Sequence, residues 1–171
     1  MKILETERMI LRRLRPDDLD ALAALYRDPE IRRYFPEGTL TRAETEEELD
    51  WFRNGHPNHP ELGLWAAILR QSDAFIGRCG LLPWTIEGVD EVEIAYLIAK
   101  PYQRQGLGAE AAQALVRHGF GTLNLNRLIA LIDPAHGASI GTAMKAGLRF
   151  EKMVVMDGVT SAVYAITQRT G

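Results

Sequence analysis

A polar segment with two glycines separates an apolar stretch from a helical pattern near the middle of the chain. Residues 92–99 are mostly apolar, Gly106 and Gly108 lie in the polar segment, and residues 108–120 follow a helical spacing. The unpaired N–H groups at the start of a helix attract anions, and glycine lets the backbone approach them closely. Arg104 adds a permanent positive charge. The sequence therefore predicts a loop that binds a phosphorylated cofactor, with an ordinary glycine turn as the alternative.

This glycine segment differs from two well-known phosphate loops. The loop of nucleoside-triphosphate-binding proteins needs Lys and then Ser or Thr after its last glycine, whereas residues 109–110 are Ala-Glu. The dinucleotide pattern G-x-G-x-x-A is met by Gly106, Gly108 and Ala111, but residues 100–105 separate its first glycine from the strand. A nucleotide-binding oxidoreductase therefore remains a second hypothesis for this segment.

Composition and charge favour a compact domain with no general attraction to polyanions. The 171 residues suit a single domain, 1–171, with a sizeable core. The formal net charge of −3 predicts binding neither to nucleic acid nor to a membrane surface. The lone Cys79 excludes a disulfide framework and a cysteine metal cluster. No apolar run is long enough to span a membrane and the first residues are acidic, so a cytoplasmic protein is expected.

Hydrophobic periodicity predicts an α/β domain. Helices are expected at residues 16–26, 41–53, 108–120 and 139–146. Strands are expected at residues 8–14, 64–70, 75–82, 91–99, 127–132, 150–156 and 162–167. Thr41 and Glu44 have the spacing of a capping box, and Gly147 is suited to end the last helix. A turn at residues 157–158 is expected to join the last two strands.

Several short motifs follow one another in a fixed order. Residues 92–111 read VEIAYLIAKPYQRQGLGAEA, residues 126–130 NRLIA, residues 133–139 DPAHGAS and residues 145–151 KAGLRFE. These resemble the cofactor signature Q/R-x-x-G-x-G/A, the next strand, the "N-x-x-S" turn and the "GF-x-x-E" corner of the GNAT acetyltransferase superfamily. Residues 4–12, LETERMILR, are similar to the branch that acetylates the N-termini of ribosomal proteins.

The resemblance implies a fold and a co-substrate. The fold is a single α/β (α+β) domain with a mixed, strongly twisted sheet of about six to seven strands, flanked by helices, whose central strands splay apart. Acetyl-CoA lies in the gap, and no metal is needed. Backbone groups of Leu97, Ile98 and Ala99 are implied to hold its pantetheine arm. The remaining implied cofactor contacts are Gln103, Arg104, Gln105, Gly106, Leu107, Gly108, Ala109, His136 and Ser139.

Acetyl transfer from a thioester to an amine needs a base, a stabilised oxyanion and a proton for the leaving thiolate. By resemblance, Glu93 is the candidate base, with a salt-bridged or rim glutamate as the structural alternative. The backbone N–H of Ile98 is the candidate for holding the oxyanion. Ser139 is either the proton donor or a helix cap, because the family's usual tyrosine position is Ala143 here. The turn's usual asparagine is His136, which titrates near neutrality.

The acceptor site is expected against the early helices and the loop between them. By resemblance, Tyr34, Phe35 and Trp51 are its candidate residues. A peptide or amino-acid α-amine is favoured as acceptor, because the acids of residues 44–50 spread around a helix and form no concentrated cation site. The alternatives are a polyamine or aminoglycoside acceptor and a non-catalytic coenzyme A-binding module. A monomer or homodimer is expected, and residues 56–59 are interpreted as a loop, not a metal site.

Overall fold

The computed structural model describes residues 1–169, which build one open sheet of eight strands. The helices and strands are, in chain order, β1 (Lys2–Glu5), β2 (Met9–Arg13), α1 (Leu19–Tyr26), α2 (Arg42–Phe52), β3 (Gly63–Leu69), β4 (Phe75–Ile86), β5 (Val89–Ile98), α3 (Leu107–Arg117), β6 (Arg127–Ile132), α4 (Gly137–Lys145), β7 (Arg149–Met156) and β8 (Val159–Thr167). The strand order is β1-β2-β3-β4-β5-β6-β8-β7. Neighbours are antiparallel except for the parallel pair β5 and β6.

Side chains alternate along β5 and divide the helices between the two faces of the sheet. Ile94 and Ile98 pack with α3 and α4 on one face. Ala95 and Leu97 pack with α1 and α2 on the other face. Since both faces of β5 are covered, the strand is held rigidly in the middle of the domain.

Local signals explain how several helices begin and end. The Thr41 hydroxyl accepts a hydrogen bond from the Glu44 backbone N–H at 3.2 Å, and the Glu44 carboxylate accepts one from the Thr41 backbone N–H at 2.8 Å. This reciprocal pair confirms the capping box at the start of α2. Gly147 has a φ of +99°, a left-handed conformation that suits glycine and follows the last turn of α4.

The sheet differs from the sequence-based prediction at its edge and at β4. It has eight strands, not six or seven, because β1 pairs with β2. β4 does not end at Leu82 but runs through Pro83 to Ile86. The pairing of β3 with β4 ends at Leu81, so Pro83 lies where no third strand needs its missing N–H. The hairpin from β4 into β5 turns at Glu87 and Gly88, whose φ angles are +52° and +80°.

Two predicted helices are shorter than expected. Residues 16–18 form a 3-10 turn before α1 begins at Leu19. α3 ends at Arg117 and continues as a π-helical turn, His118–Thr122, before β6. In the part of the chain that the structure describes, no helix is both long and apolar enough to span a membrane.

Candidate active site

The central feature of the site is a gap between β5 and β6. These parallel strands pair at one position, Glu93 opposite Ile129. β5 continues from there to Ile98 and β6 to Ile132 without further pairing. The edge of β5 that faces β6 is therefore free of strand partners from residue 94 onward, which is the splayed arrangement expected from the sequence.

The glycine segment closes the far end of this gap. Gly106 has a φ of +80° and stands immediately before α3, which begins at Leu107. Within residues 1–169, the backbone N–H groups of residues 104–109 donate no hydrogen bond to another backbone carbonyl. These amides, together with the positive end of the α3 dipole, are free to attract an anion, and the cofactor contacts of this loop stay a prediction.

The loop is held in place by Arg8, which the sequence analysis missed. Its Nη1 donates to the Gln105 carbonyl at 2.8 Å, and its Nε donates to the Glu110 carboxylate at 2.9 Å. The Thr6 hydroxyl donates to the same carboxylate at 2.6 Å. Burial alone would raise the pKa of Glu110, but the bonds from Thr6 and Arg8 lower it, so the carboxylate stays charged. No local signal joins these residues, because 102 positions separate Arg8 from Glu110.

The backbone at the end of β5 is not uniformly available. The N–H of Ala99 already donates to the Ile76 carbonyl at 2.7 Å, and its carbonyl accepts from the Tyr102 N–H at 2.9 Å. The Ile98 carbonyl accepts a bond from the Gln103 side-chain amide at 2.9 Å. The Leu97 carbonyl faces Gly77 of β4, so Leu97 is directed toward the paired edge of β5. Among the three residues expected to hold a pantetheine arm, Ile98 is therefore the one whose backbone N–H is directed to the edge that faces β6.

Glu93 lies where β5 and β6 part. Its carboxylate accepts hydrogen bonds from the indole Nε1 of Trp84 at 3.0 Å and from the backbone N–H of Leu131 at 3.4 Å. Burial raises the pKa of Glu93 to about 7, although these two bonds and the charge of Arg78 act in the opposite direction. No salt bridge within residues 1–169 involves it. A carboxyl group of this kind exchanges a proton near neutral pH.

Ser139 does not cap α4, so one of its two expected roles is wrong. The cap is His136, whose Nδ1 accepts a hydrogen bond from the Ser139 backbone N–H at 3.4 Å. Ser139 is instead the third residue of α4, which begins at Gly137. Burial lowers the pKa of His136, which keeps its imidazole neutral and able to accept this bond. The histidine is thus the N-cap of α4, whereas its expected contact to the cofactor stays a prediction.

Tyr96 reaches across the gap to α4 and was not found from the sequence. Its hydroxyl donates to the Ser139 carbonyl at 2.7 Å and accepts a bond from the Ser139 hydroxyl at 3.2 Å. Burial raises the pKa of Tyr96 to about 12. The phenol therefore keeps its proton at neutral pH. A tyrosine is absent at position 143, where the buried Ala143 stands, but a strand residue brings one to the same helix.

The aromatic residues expected at the acceptor site separate into two places. The Tyr34 ring stacks on His136 with centroids 4.2 Å apart, and the Phe35 ring lies 4.0 Å from the guanidinium carbon of Arg32. The segment 31–40 therefore reaches from α1 to the start of α4. Trp51 is 55% exposed, and its ring packs edge-on against His56. Among the aromatic pairs of residues 1–169, Trp51 is not paired with Tyr34 or Phe35. Within the described residues, no cluster of His, Cys, Asp and Glu could hold a metal ion.

The eight-stranded sheet with a gap between β5 and β6 has the architecture of an acetyltransferase, and the comparison with known sequences leads to the same class. Residues 8–149 match the family model described as "Acetyltransferase (GNAT) domain". The chain belongs to the GNAT acetyltransferase family, and the resemblance drawn from its motifs is confirmed.

The chain is similar to several bacterial proteins over nearly its full length. It is 32% identical to "Uncharacterized protein YkkB" of Bacillus subtilis (strain 168), covering 94% of this chain and 93% of that one. It is 30% identical to "Uncharacterized N-acetyltransferase p20" of Bacillus licheniformis, covering 82% and 78%. A solved acetyltransferase (GNAT family) from Bacillus anthracis shares the fold with a TM-score of 0.84 at 24% identity, covering 98% of both chains.

Proposed function

We propose that the protein transfers an acetyl group from acetyl-CoA to the α-amine of a peptide or amino acid, by direct attack with both substrates bound. The observation that carries this proposal is the position of Glu93. Its carboxyl group, with a pKa near 7, stands where the two parallel strands separate, in line with a free strand edge and an anion-binding loop. A base, a co-substrate slot and a phosphate site thus share one gap.

The residues around the gap fit coenzyme A. The amides of residues 104–109 and the Arg104 side chain would bind its pyrophosphate, and backbone groups on the edge of β5 that faces β6 would pair with its pantetheine arm. Bound acetyl-CoA supplies the thioester carbonyl for the reaction. Two solved members of the same fold support this use. One is described as RimL, the ribosomal L7/L12 alpha-N-protein acetyltransferase, in complex with coenzyme A, and the other as AAC(6')-Ib with ribostamycin and coenzyme A.

Three groups of the chain divide the proton and charge transfers. Glu93 takes a proton from the incoming ammonium or amine, directly or through water. The backbone N–H of Ile98 stabilises the negative charge that develops on the carbonyl oxygen. The Tyr96 hydroxyl, which accepts a hydrogen bond from the Ser139 hydroxyl, donates a proton to the leaving thiolate. One group thus accepts a proton, one stabilises the oxyanion and one donates a proton, each from a fixed position in the gap.

The experiment that tests this function measures release of free thiol from acetyl-CoA in the presence of a mixed panel of amines. The panel contains peptides with free N-termini, amino acids and polyamines. Amine-dependent, saturable release that Glu93→Gln slows supports an acetyltransferase. Coenzyme A binding without thiol release would favour a non-catalytic binding module, and a larger thermal shift with NAD than with coenzyme A would favour an oxidoreductase.

A further inference from the structure

Two buried arginines lie on the face of the sheet that the proposed acceptor uses. Arg78 belongs to β4, opposite Leu97 of β5, and Arg32 comes from the segment after α1. Each is only 5% exposed. Glu93 is on the same face of β5 as Leu97, since the two are four residues apart on one strand. Arg78 and Glu93 therefore lie on the face of the sheet that α1 and α2 cover. Arg32 packs against the same Tyr26 and Phe35 rings as Arg78.

Few protein groups neutralise these two arginines. Nε of Arg78 donates to the Tyr26 hydroxyl at 2.8 Å, which is the one hydrogen bond its guanidinium makes to residues 1–169. Nε of Arg32 donates to the Gly38 carbonyl at 2.7 Å. A carboxylate oxygen of Glu37 lies 3.8 Å from Nη2 of Arg32, but that glutamate is 66% exposed. An exposed and loosely paired carboxylate offsets little of a buried charge.

The aromatic rings around the arginines hold the two cations close together. The Arg32 guanidinium carbon lies 4.0 Å from the Phe35 ring centroid and that of Arg78 lies 5.7 Å from it. Both also face the Tyr26 ring, at 5.1 and 5.6 Å. The rings favour cations but carry no net charge, so they do not balance them.

The positive charges of the two arginines are only partly balanced. Burial raises the pKa of Tyr26 well above its usual range, so its hydroxyl is neutral. Burial and the nearby Arg78 lower the pKa of Arg32, yet guanidinium groups stay charged in proteins. Glu48 of α2 acts on both arginines, and its buried Oε2 has no hydrogen-bond partner within the described part of the chain. Glu93 of β5 also interacts with Arg78, but its pKa of about 7 leaves it partly protonated at neutral pH. Two cations thus face Glu48 and a Glu93 carboxyl group that is partly protonated at neutral pH, and buried charges are stable when paired.

We propose that Arg78 and Arg32 bind an oxyanion, a carboxylate or a phosphate, carried by the acceptor whose amine approaches Glu93. This inference rests on the proposed function and narrows its acceptor to an anionic amine. Arg78 stands opposite Leu97, four residues from Glu93, a distance of about 13 Å along the strand. Because the long side chains of Arg78 and Glu93 bring their charges close enough to interact, the gap between their charged ends is shorter than this. The acceptor must then have several bonds between its amine and its oxyanion. A short peptide with an acidic second residue meets that requirement.

The test compares matched dipeptide amides that differ in one charge. Alanyl-glutamate amide and alanyl-glutamine amide have the same free α-amine and nearly the same shape. Alanyl-phosphoserine amide and alanyl-serine amide form the second pair. The wild type is expected to show a kcat/KM at least tenfold higher for the anionic member of one pair, about 1.4 kcal/mol in transition-state binding. Which pair shows it decides between carboxylate and phosphate.

Variants of the two arginines test whether these residues cause the preference for anionic peptides. Arg78→Met and Arg32→Met are expected to reduce the ratio of anionic to neutral kcat/KM toward one, whereas Arg117→Gln, an exposed arginine of α3, is expected to leave the ratio unchanged. A comparison that needs no variant uses the N-acetylated forms of the four dipeptides as competitive inhibitors of the wild type. The anionic forms are expected to inhibit at concentrations at least tenfold lower than the neutral ones.

The outcomes separate the two proposals. Equal kcat/KM and equal inhibition within both pairs would overturn the anionic acceptor and leave the acetyltransferase proposal standing. Retention of the full ratio in folded Arg78→Met and Arg32→Met would also overturn it. Failure to release thiol with any amine of the mixed panel, neutral or charged, would instead contradict the proposed function itself.

Discussion

At Glu93, burial determines acidity more than any charged neighbour does. Its carboxylate is paired with an indole N–H and a backbone N–H, neither of which carries a charge. Hydrogen bonds of this kind hold the carboxylate in one orientation without keeping its pKa low. The expected alternatives for this residue were a base and a salt-bridged or rim glutamate, and within residues 1–169 it makes no salt bridge.

Glutamine at position 93 keeps the shape of the side chain and removes the proposed base. We expect kcat at neutral pH to fall on the order of 10²-fold, with a smaller loss at high pH, where the amine is already neutral. Wild-type kcat is expected to rise with pH through about 7, as the carboxylate forms. Steady-state thiol release as a function of pH measures both effects. Equal kcat for the two proteins at every pH would make Glu93 a structural residue.

The same substitution has a signature in stability. The pKa of Glu93 is raised from 4.5 to about 7 in the folded state. Its contribution to folding is therefore complete below about pH 4.5 and is lost as pH rises through about 7. Since glutamine does not titrate, Glu93→Gln should gain stability relative to the wild type over that interval, by on the order of 1–3 kcal/mol. Urea unfolding at several pH values measures the difference, and a difference independent of pH would refute the raised pKa.

Tyr96 and Ser139 are predicted to act together on the leaving thiolate. Tyr96→Phe removes the donor and is expected to lower kcat by about tenfold or more. Because the two hydroxyls are hydrogen-bonded, the double variant with Ser139→Ala should lose less than the product of the single losses. Tyr164→Phe, at a buried position on β8, is the control for loss of a phenol. If Tyr96→Phe and Tyr164→Phe have the same kcat, Tyr96 has no part in the reaction.

At the scale of elements, the glycine loop and α3 form one structural unit, which we propose binds the pyrophosphate. The left-handed Gly106 allows the chain to enter the helix with its first amides free. Arg8 and Glu110 then fix this unit against the start of the sheet. The left-handed turn and the free amides depend on residues 103–109 alone, so they could be predicted from the sequence. The bonds to Arg8 depend on tertiary contacts and could not.

Valine at position 106 is predicted to reduce coenzyme A affinity at least tenfold, about 1.4 kcal/mol, because its side chain occupies the approach to the pyrophosphate. The φ of +80° also strains any side chain there, so the control must share that strain. Gly88→Val provides it, since Gly88 has the same φ of +80° and open space around it in the β4–β5 turn. Calorimetric titration with coenzyme A measures both variants. Equal coenzyme A affinities of Gly106→Val and Gly88→Val would show that the pyrophosphate does not bind at this loop.

Most elements could be predicted because their signals are local. The capping box at Thr41 and the turn at Asp157 and Gly158, with φ angles of +50° and +79°, depend on neighbouring residues alone. The extension of β4 through Pro83 could not be predicted, because it depends on where β3 stops. The cap of α4 was assigned to Ser139 as one alternative, but the histidine three residues earlier accepts the bond.

At the scale of the molecule, the elements on either side of the gap were predictable from short motifs, whereas the burial of Arg78 and Arg32 was not. The motifs of residues 92–111 and 133–139 are two short segments that lie on either side of the gap, and the cofactor contacts expected of them stay a prediction. The proposed acceptor side would involve β4, α1, α2 and the segment 31–40 together. Arg78 looks like an ordinary polar residue within a strand, and only the assembled sheet shows that it is buried beside Tyr26.

The charges of that acceptor side predict discrimination against polycations. Buried Arg78 and Arg32 repel a second positive charge in the acceptor. Short peptides that begin with Ala or Ser are therefore expected to exceed spermidine and an aminoglycoside in kcat/KM. A preference of tenfold or more for either polycation, about 1.4 kcal/mol in transition-state binding, would reverse the choice of acceptor.

The most direct test of the central claim is a single-turnover assay in which acetyl-CoA-loaded protein is mixed with a pool of free-N-terminal peptides and the products are read by mass spectrometry. An acetyltransferase of the proposed kind yields acetylated peptide N-termini in step with free coenzyme A thiol, and Glu93→Gln yields both more slowly at neutral pH. Bound acetyl-CoA that survives intact beside the peptide, amino-acid and polyamine pools would contradict it.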